Sequence, residues 1–296
     1  MSLVVNHNMM AANSSRYLNT HYKALSDSTR KLSSGLRVET AADDAAGLAI
    51  RELMRADISS LNQGVRNAND GISLIQTADG ALGVIDEKLI RMKELAEQAA
   101  TGTYDSTQRL IIDSEYQQMA SEITRIANAT DFNGIKLLDG NLSSDTHNGS
   151  GLKSTGKLKI HFGTGNDSAE DYYYIQIGTA TASALGVGNS SPATRAGHDI
   201  STQANAQRAL EAINNAIVSK DNIRAHLGAL QNRLENTITN LEVQSENLQA
   251  AESQISDVDV ATEMTNFVRN QILTQSAVSM LGQANSLPQM ALNLIG

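Results

Sequence analysis

The sequence predicts a mainly α protein: long antiparallel coiled-coil helices that pair N- and C-terminal segments, with a small β-hairpin insertion. Three observations carry this. Apolar residues recur every seven positions over two long stretches, the signature of helices that pack along a seam. Only two prolines occur, Pro192 and Pro288, so 191 residues precede the first helix-breaker. Aromatics make up 3% of the chain and Trp is absent, so regularly spaced Ala, Leu, Ile and Val must supply the burial.

Taken in order, Leu18, Leu25 and Leu32 give a short seam on a first helix that breaks at Ser34 and Gly35. A second helix runs from about Asp44 to Ala100. Its heptad positions are Met54, Leu61, Ala68, Ile75, Leu82, Leu89 and Ala96. A second seam of Ile58, Val65 and Ile72 shifts by one residue to Ala78, Ile85, Met92 and Ala99, which predicts a register slip near Gly80. This helix would be ~85 Å long at 1.5 Å per residue. After a turn at Gly102, a third helix over about Ser106–Asn128 places Ile112, Tyr116, Met119, Ile123 and Ile126 on one face.

Residues 141–156 are mostly Ser, Asn, Gly, Asp and Thr and read as an exposed loop. Lys157–Phe162 and Tyr172–Ile177 are β-type runs around a turn cluster that begins at Gly163, which predicts a hairpin. Residues 178–200 return through Gly, Ser and Pro192. A fourth helix, about Thr202–Gln254 and ~80 Å long, carries Leu227, Leu234, Leu241, Leu248 and Ile255 at sevens, with Leu210, Ile213 and Ile217 upstream. A compact globule of this length has a radius of gyration of only ~19 Å, so the two rods are expected to lie side by side in an elongated body. Ser256 and Asp259 form an S-x-x-D cap for the last helix, expected to end at Ser286 and Leu287 ahead of Pro288.

Function is written most plainly at the two ends. Past Glu263 only Arg269 is charged, and residues 1–15 carry no charged Lys, Arg, Asp or Glu. A monomer cannot leave such faces in water. Gln271, Gln275, Gln283, Asn285 and Gln289 interrupt every window of ~20 residues that a bilayer span requires, so membrane insertion is not expected. The ends are therefore read as surfaces buried against other protein. The chain assembles.

Other classes fall away. No Cys occurs, which excludes disulfides and thiol chemistry. The net charge of −9 argues against nucleic acid as a partner. The N-terminus lacks the basic and apolar regions of a cleaved signal peptide. Six histidines show neither metal spacing nor an HExxH pattern, and Gly163-Thr-Gly165 lacks the residues of a phosphate loop. No nucleophile, acid–base pair or metal cluster supports an enzyme, and no cofactor is expected. Asp43 with Asp44, and Asp257 with Asp259, read as helix N-terminal charges.

The stretch Lys31-Leu-Ser-Ser-Gly-Leu-Arg37 followed by Ala42-Asp-Asp-Ala-Ala-Gly47 resembles the signature of bacterial flagellins. So do Arg66-Asn-Ala-Asn-Asp-Gly-Ile72, Gln76-Thr-Ala-Asp-Gly-Ala81, Arg224-Ala-His-Leu-Gly-Ala-Leu-Gln-Asn-Arg-Leu234, and Ser279-Met-Leu-Gly-Gln-Ala-Asn285 with Pro288. The resemblance covers roughly 1–140 and 200–296. It departs at Ile90, where the family often has Gln, and at the terminal Gly296, where many members end in Arg.

The resemblance implies a structural subunit of the extracellular flagellar filament, exported unfolded through the flagellar type III apparatus and polymerised at the tip. The runner-up is a minor flagellin or hook–filament junction protein. It implies that 1–43 and 256–296 form the inner-tube terminal helices with a connecting spoke, and that 44–140 and 201–255 form the outer-tube coiled coil. Residues 141–200 become a short variable insertion facing solvent. The polymerisation core would comprise Leu18, Leu25, Leu32, Met264, Phe267, Ile272, Leu273, Met280, Leu281 and Leu287, disordered until neighbouring copies arrive. The hairpin residues Leu158, Ile160, Phe162, Tyr173, Ile175 and Ile177 stand where the family switches supercoil state, or form a stabilising flap. Arg91, Leu95 and Glu115 match a patch recognised by a host toll-like receptor. Partners implied are many copies of the chain itself, an export chaperone, and cap and hook-associated proteins. The Ser/Thr-rich loop from Ser143 to Thr155 is either O-glycosylated, as in some relatives, or an unmodified flexible loop.

Overall fold

The computed structural model describes residues 7–149, 155–168, 170–188 and 198–295. Five helices dominate: α1 (Met9–Ser34), α2 (Ala45–Ala100), α3 (Ser106–Ala129), α4 (Gln203–Ser256) and α5 (Val260–Ile295). Three two-stranded antiparallel ladders lie between α3 and α4: β1 (Asp131–Phe132) with β2 (Ile135–Lys136), β3 (His147–Asn148) with β4 (Thr155–Gly156), and β5 (Leu158–His161) with β6 (Tyr172–Ile175). The chain divides into two compact units, residues 59–245 and residues 1–58 with 246–296.

Within residues 59–245 one apolar core runs along α2, α3 and α4. The α2–α4 pair is antiparallel, since Asp79 and Asp86 of α2 meet Arg224 and Lys220 of α4 in reversed order. The expected slip near Gly80 is absent. Leu61, Gly64, Ala68, Gly71, Ile75, Ala78, Leu82, Ile85, Leu89, Met92, Ala96 and Ala99 are all buried, alternating in steps of three and four without a break. Ile58, Val65 and Ile72 are only half-buried. Two seam positions are thus glycines, and apolar counting passes over them.

The hairpin explains why. A Cβ at Gly64 would stand 2.0 Å from the Phe162 carbonyl oxygen, so only glycine admits the hairpin backbone there. Asn67 donates to the His161 carbonyl at 2.8 Å, and a Cβ at Gly71 would just touch Ile160 and Leu234. In the β5–β6 register Leu158 faces Ile175 and Ile160 faces Tyr173. Phe162, Ile175 and Ile177 are buried, while Leu158, Ile160 and Tyr173 are half-buried. The Arg233 guanidinium covers the Tyr173 ring at 3.5 Å. Ile177 lies beyond the end of β6.

Two ladders escape the periodicity reading. Asn133 and Gly134 both take positive φ (51° and 77°) between β1 and β2, the tight-turn geometry that an Asn-Gly pair favours. The β3–β4 pair sits inside the stretch expected to be wholly loop. Of the Ser/Thr cluster, Ser150 and Ser154 fall outside the described residues, as does Pro192.

Candidate polymerisation surfaces

The unit formed by 1–58 and 246–296 holds both chain ends. Asn8 caps α1, its Oδ1 accepting from the Ala11 N–H at 3.0 Å. At the other end Gly35, at φ 74°, closes α1 by donating its N–H to the Lys31 carbonyl. The chain then pairs with the α4–α5 junction. Arg37 N donates to Ser256 O at 2.6 Å and Val258 N to Gly35 O at 3.0 Å. The Arg37 guanidinium reaches the Ile255 carbonyl at 2.6 Å, one of the acceptors that the end of α4 leaves without helical donors. These contacts give the Gly35-Leu36-Arg37 motif its physical content: a left-handed helix stop followed by a cap for another helix.

A second knot follows. Asp43 Oδ2 accepts from Thr40 N and Thr40 Oγ1, both at 3.0 Å, and Oδ1 receives Arg30 at 3.0 Å. The Thr40 N–H and hydroxyl foremost, with Arg30 assisting, hold the Asp43 carboxyl down to about 2. Asp44 accepts from Ala46 N and Gly47 N and so caps α2. A depressed carboxylate contributes stability above its unfolded value near ~3.9, and loses it as pH falls toward the folded value. Acid unfolding followed by circular dichroism should therefore show a smaller stability loss between about pH 4 and 2 in Asp43→Asn than in the parent chain. Equal slopes would remove Asp43 as a determinant.

At the start of α5 the cap is Asp259 alone. Its Oδ1 accepts from Ala261 N at 3.0 Å, and Oδ2 receives the Thr262 hydroxyl at 2.7 Å. Ser256, expected to share this role, ends α4 and is buried beside Asp257, because α4 continues through the predicted cap. The expected stop before Pro288 is also absent: α5 continues to Ile295.

Helices α1 and α5 pack antiparallel, with Asn8 beside Ala284 and Gly35 beside Val258. On α5 apolar residues face outward as well as inward. On α5 the half-buried positions include Glu263, Asn266, Asn270, Thr274 and Ala277. The outward positions include Met264, Val268, Ile272, Leu273, Val278 and Met280, among which Ile272 and Met280 are 57% and 58% exposed. On α1, Met9, Met10, Tyr17 and Tyr22 are exposed while Leu18, Leu25 and Leu32 are half-buried. The ten candidate core residues therefore divide. Leu18, Leu25, Leu32, Phe267 and Leu281 are half-buried within the chain, and Met264, Ile272, Leu273 and Met280 face outward. Leu287 lies in α5, but its side chain is outside the described residues.

In residues 59–245, Arg91 and Glu115 come together at 2.7 Å, and Arg91 also holds Glu94 at 2.9 Å. Leu95 does not join that surface. It is 2% exposed, because α2 is covered on two sides at this height and Met92, Leu95, Ala96 and Ala99 together fill the core. Among the described residues no group of His, Asp or Glu has metal-binding geometry, and no helix is long and apolar enough to cross a membrane.

Residues 5–143 match the model of the bacterial flagellin N-terminal helical region, and residues 210–295 that of the C-terminal helical region. The flagellin of Halalkalibacterium halodurans is 42% identical, covering 99% of this chain and 100% of that one. This chain belongs to the bacterial flagellin family. The flagellar filament 33 kDa core protein of Treponema phagedenis is 41% identical over the same shares. Among solved structures, a protein of Vibrio parahaemolyticus described as hook-associated aligns with a TM-score of 0.55, covering 73% of this chain and 100% of that one. At 15% identity that likeness speaks to the fold alone. This flagellin is a structural protein, the subunit of an extracellular flagellar filament.

Proposed function

We propose that α1 and α5 are the polymerising element and line the inner tube of the filament. One observation carries this: α5 turns Met264, Val268, Ile272, Leu273, Val278 and Met280 away from its own chain. In a water-facing monomer that arrangement is unfavourable, and neighbouring copies remove it by burying Met264, Val268, Ile272 and Met280. Residues 1–43 and 256–296 supply the inner tube with its spoke, 44–140 and 201–255 the outer tube, and 141–200 the outer surface. The terminal helices order as neighbours arrive, which suits a chain exported unfolded, with a chaperone before assembly and cap and hook-associated proteins at the filament ends. The hairpin, seated on α2 at Gly64 and Asn67, serves either as the supercoil switch or as a stabilising flap. The exposed Arg91–Glu115 pair is the receptor-facing patch, without Leu95.

Ile272→Asp tests the central claim. Exposure at this site means that the free subunit keeps its fold and melting temperature. Assembly would bury an unpaired carboxylate in every subunit, at several kcal/mol each. Seeded polymerisation followed by light scattering and electron microscopy should show no elongation at concentrations where the parent chain assembles. Normal filaments from Ile272→Asp would remove α5 from the interface.

A further inference from the structure

Pro288 lies inside α5 and has no N–H, so the carbonyl four residues earlier, Ala284, loses its helical donor. Ala284 is only 5% exposed, which denies that oxygen easy access to water. A different donor is present. Asn8 Nδ2 stands 2.7 Å from Ala284 O, across 276 residues of sequence. The other half of the same amide caps α1 by accepting from Ala11 N. The two partners fix the amide's orientation, because a carbonyl demands the NH2 and an N–H demands the oxygen.

We infer that Asn8 is a positioning residue for filament assembly, fixing the register of α1 against α5 by serving the carbonyl that Pro288 leaves without a donor. An apolar pair of helices tolerates sliding by a turn. This pair does not, since a displacement of ~5.4 Å takes Asn8 away from Ala284 and strands a buried carbonyl. Register decides how the outward residues Met9 and Met10 of α1 and Met280 of α5 are presented together to a neighbouring copy. The inference rests on α1 and α5 being the polymerising element.

A four-way cycle on the full chain tests it: parent, Asn8→Ser, Pro288→Ala and the double variant. Serine still caps α1 but is too short to reach Ala284, and alanine at 288 restores the missing N–H. The readout is the critical concentration for seeded assembly. Asn8→Ser should raise it about tenfold in the Pro288 chain, the scale of one stranded buried carbonyl, and less than about twofold in the Pro288→Ala chain. Equal effects in both backgrounds would reduce Asn8 to a helix cap and overturn the inference, as would no effect in either. Ile272→Asp run alongside separates the two failures. If only the register lock is wrong, that variant still fails to elongate; if the polymerising element is wrong, it assembles.

Discussion

A chain ending at Glu263 is expected to be soluble, largely helical and unable to form filaments at any concentration. The deletion of Met264–Gly296 removes most of α5, and with it the outward row of Met264, Val268, Ile272 and Met280. Helix α1 then loses the partner that covers Leu18, Leu25 and Leu32. Isolated helices of this length are marginal in water, so α1 has no partner with which to order. The core of residues 59–245 draws on α2, α3, α4, the hairpin and flanking residues such as Leu138, Leu185 and Ile200, takes nothing from α1 or α5, and is left intact. Compared with subunits in filaments, the truncated chain's circular dichroism should therefore lack roughly the share of α1 and α5, while a cooperative melt remains. Hydrogen exchange on the full-length free subunit gives the companion result: fast exchange through residues 9–34 and 260–295, and protection there only in filaments. Filaments grown from the truncated chain, or protected ends in a dilute monomer, would sink the terminal-packing account.

Much of this fold could be read from apolar spacing, and the exceptions share a cause. Leu61, Ala68, Ile75, Leu82 and Leu89 lie where the heptads put them, and α2 begins at Ala45 where Asp44 provides a cap. The reading failed where a seam position is not apolar. Gly64 and Gly71 belong to the seam because the hairpin backbone and its side chains fill the space a larger residue would occupy. Leu95 went inward because a helix covered by two neighbours buries a wider arc than a single seam marks, and sequence cannot count neighbours. The stop before Pro288 failed for a related reason. A side chain from the far end of the chain satisfies the carbonyl that the proline strands, and no local signal announces it. The uncharged ends were legible as sticky. The direction in which α5 turns its sticky face was not, since its apolar residues leave little angular bias to read. The Asn-Gly pair at 133–134 is itself a turn signal, but β1 and β2 are two residues each, too short to show an alternation.

The next largest effect is expected at Asp86. Lys220 occupies a heptad position of α4, in series with Leu227, Leu234 and Leu241, yet it is 2% exposed and charged. Burial alone would pull its ammonium down. Hydrogen bonds from Lys220 to Asp221 and Asp86 outweigh that and hold it above the ordinary value. With a raised value, its contribution is full below the unfolded ~10.4 and fades as pH climbs through the folded value, so it is complete at neutral pH. Asp86→Ala leaves that charge in the seam with only the exposed Asp221, and should cost about 2–4 kcal/mol, or several degrees in Tm. Lys220→Leu should cost nothing or stabilise, because a well-packed leucine replaces a desolvated pair. The asymmetry points to register. A heptad slide one way carries Lys220 toward Asp79 and robs Arg224 of its partner; a slide the other way carries it toward Lys93, a like charge. A seam of leucines alone tolerates either slide. Thermal melts of the two variants decide the matter: an Asp86→Ala chain as stable as the parent would show that the seam holds its register without this pair.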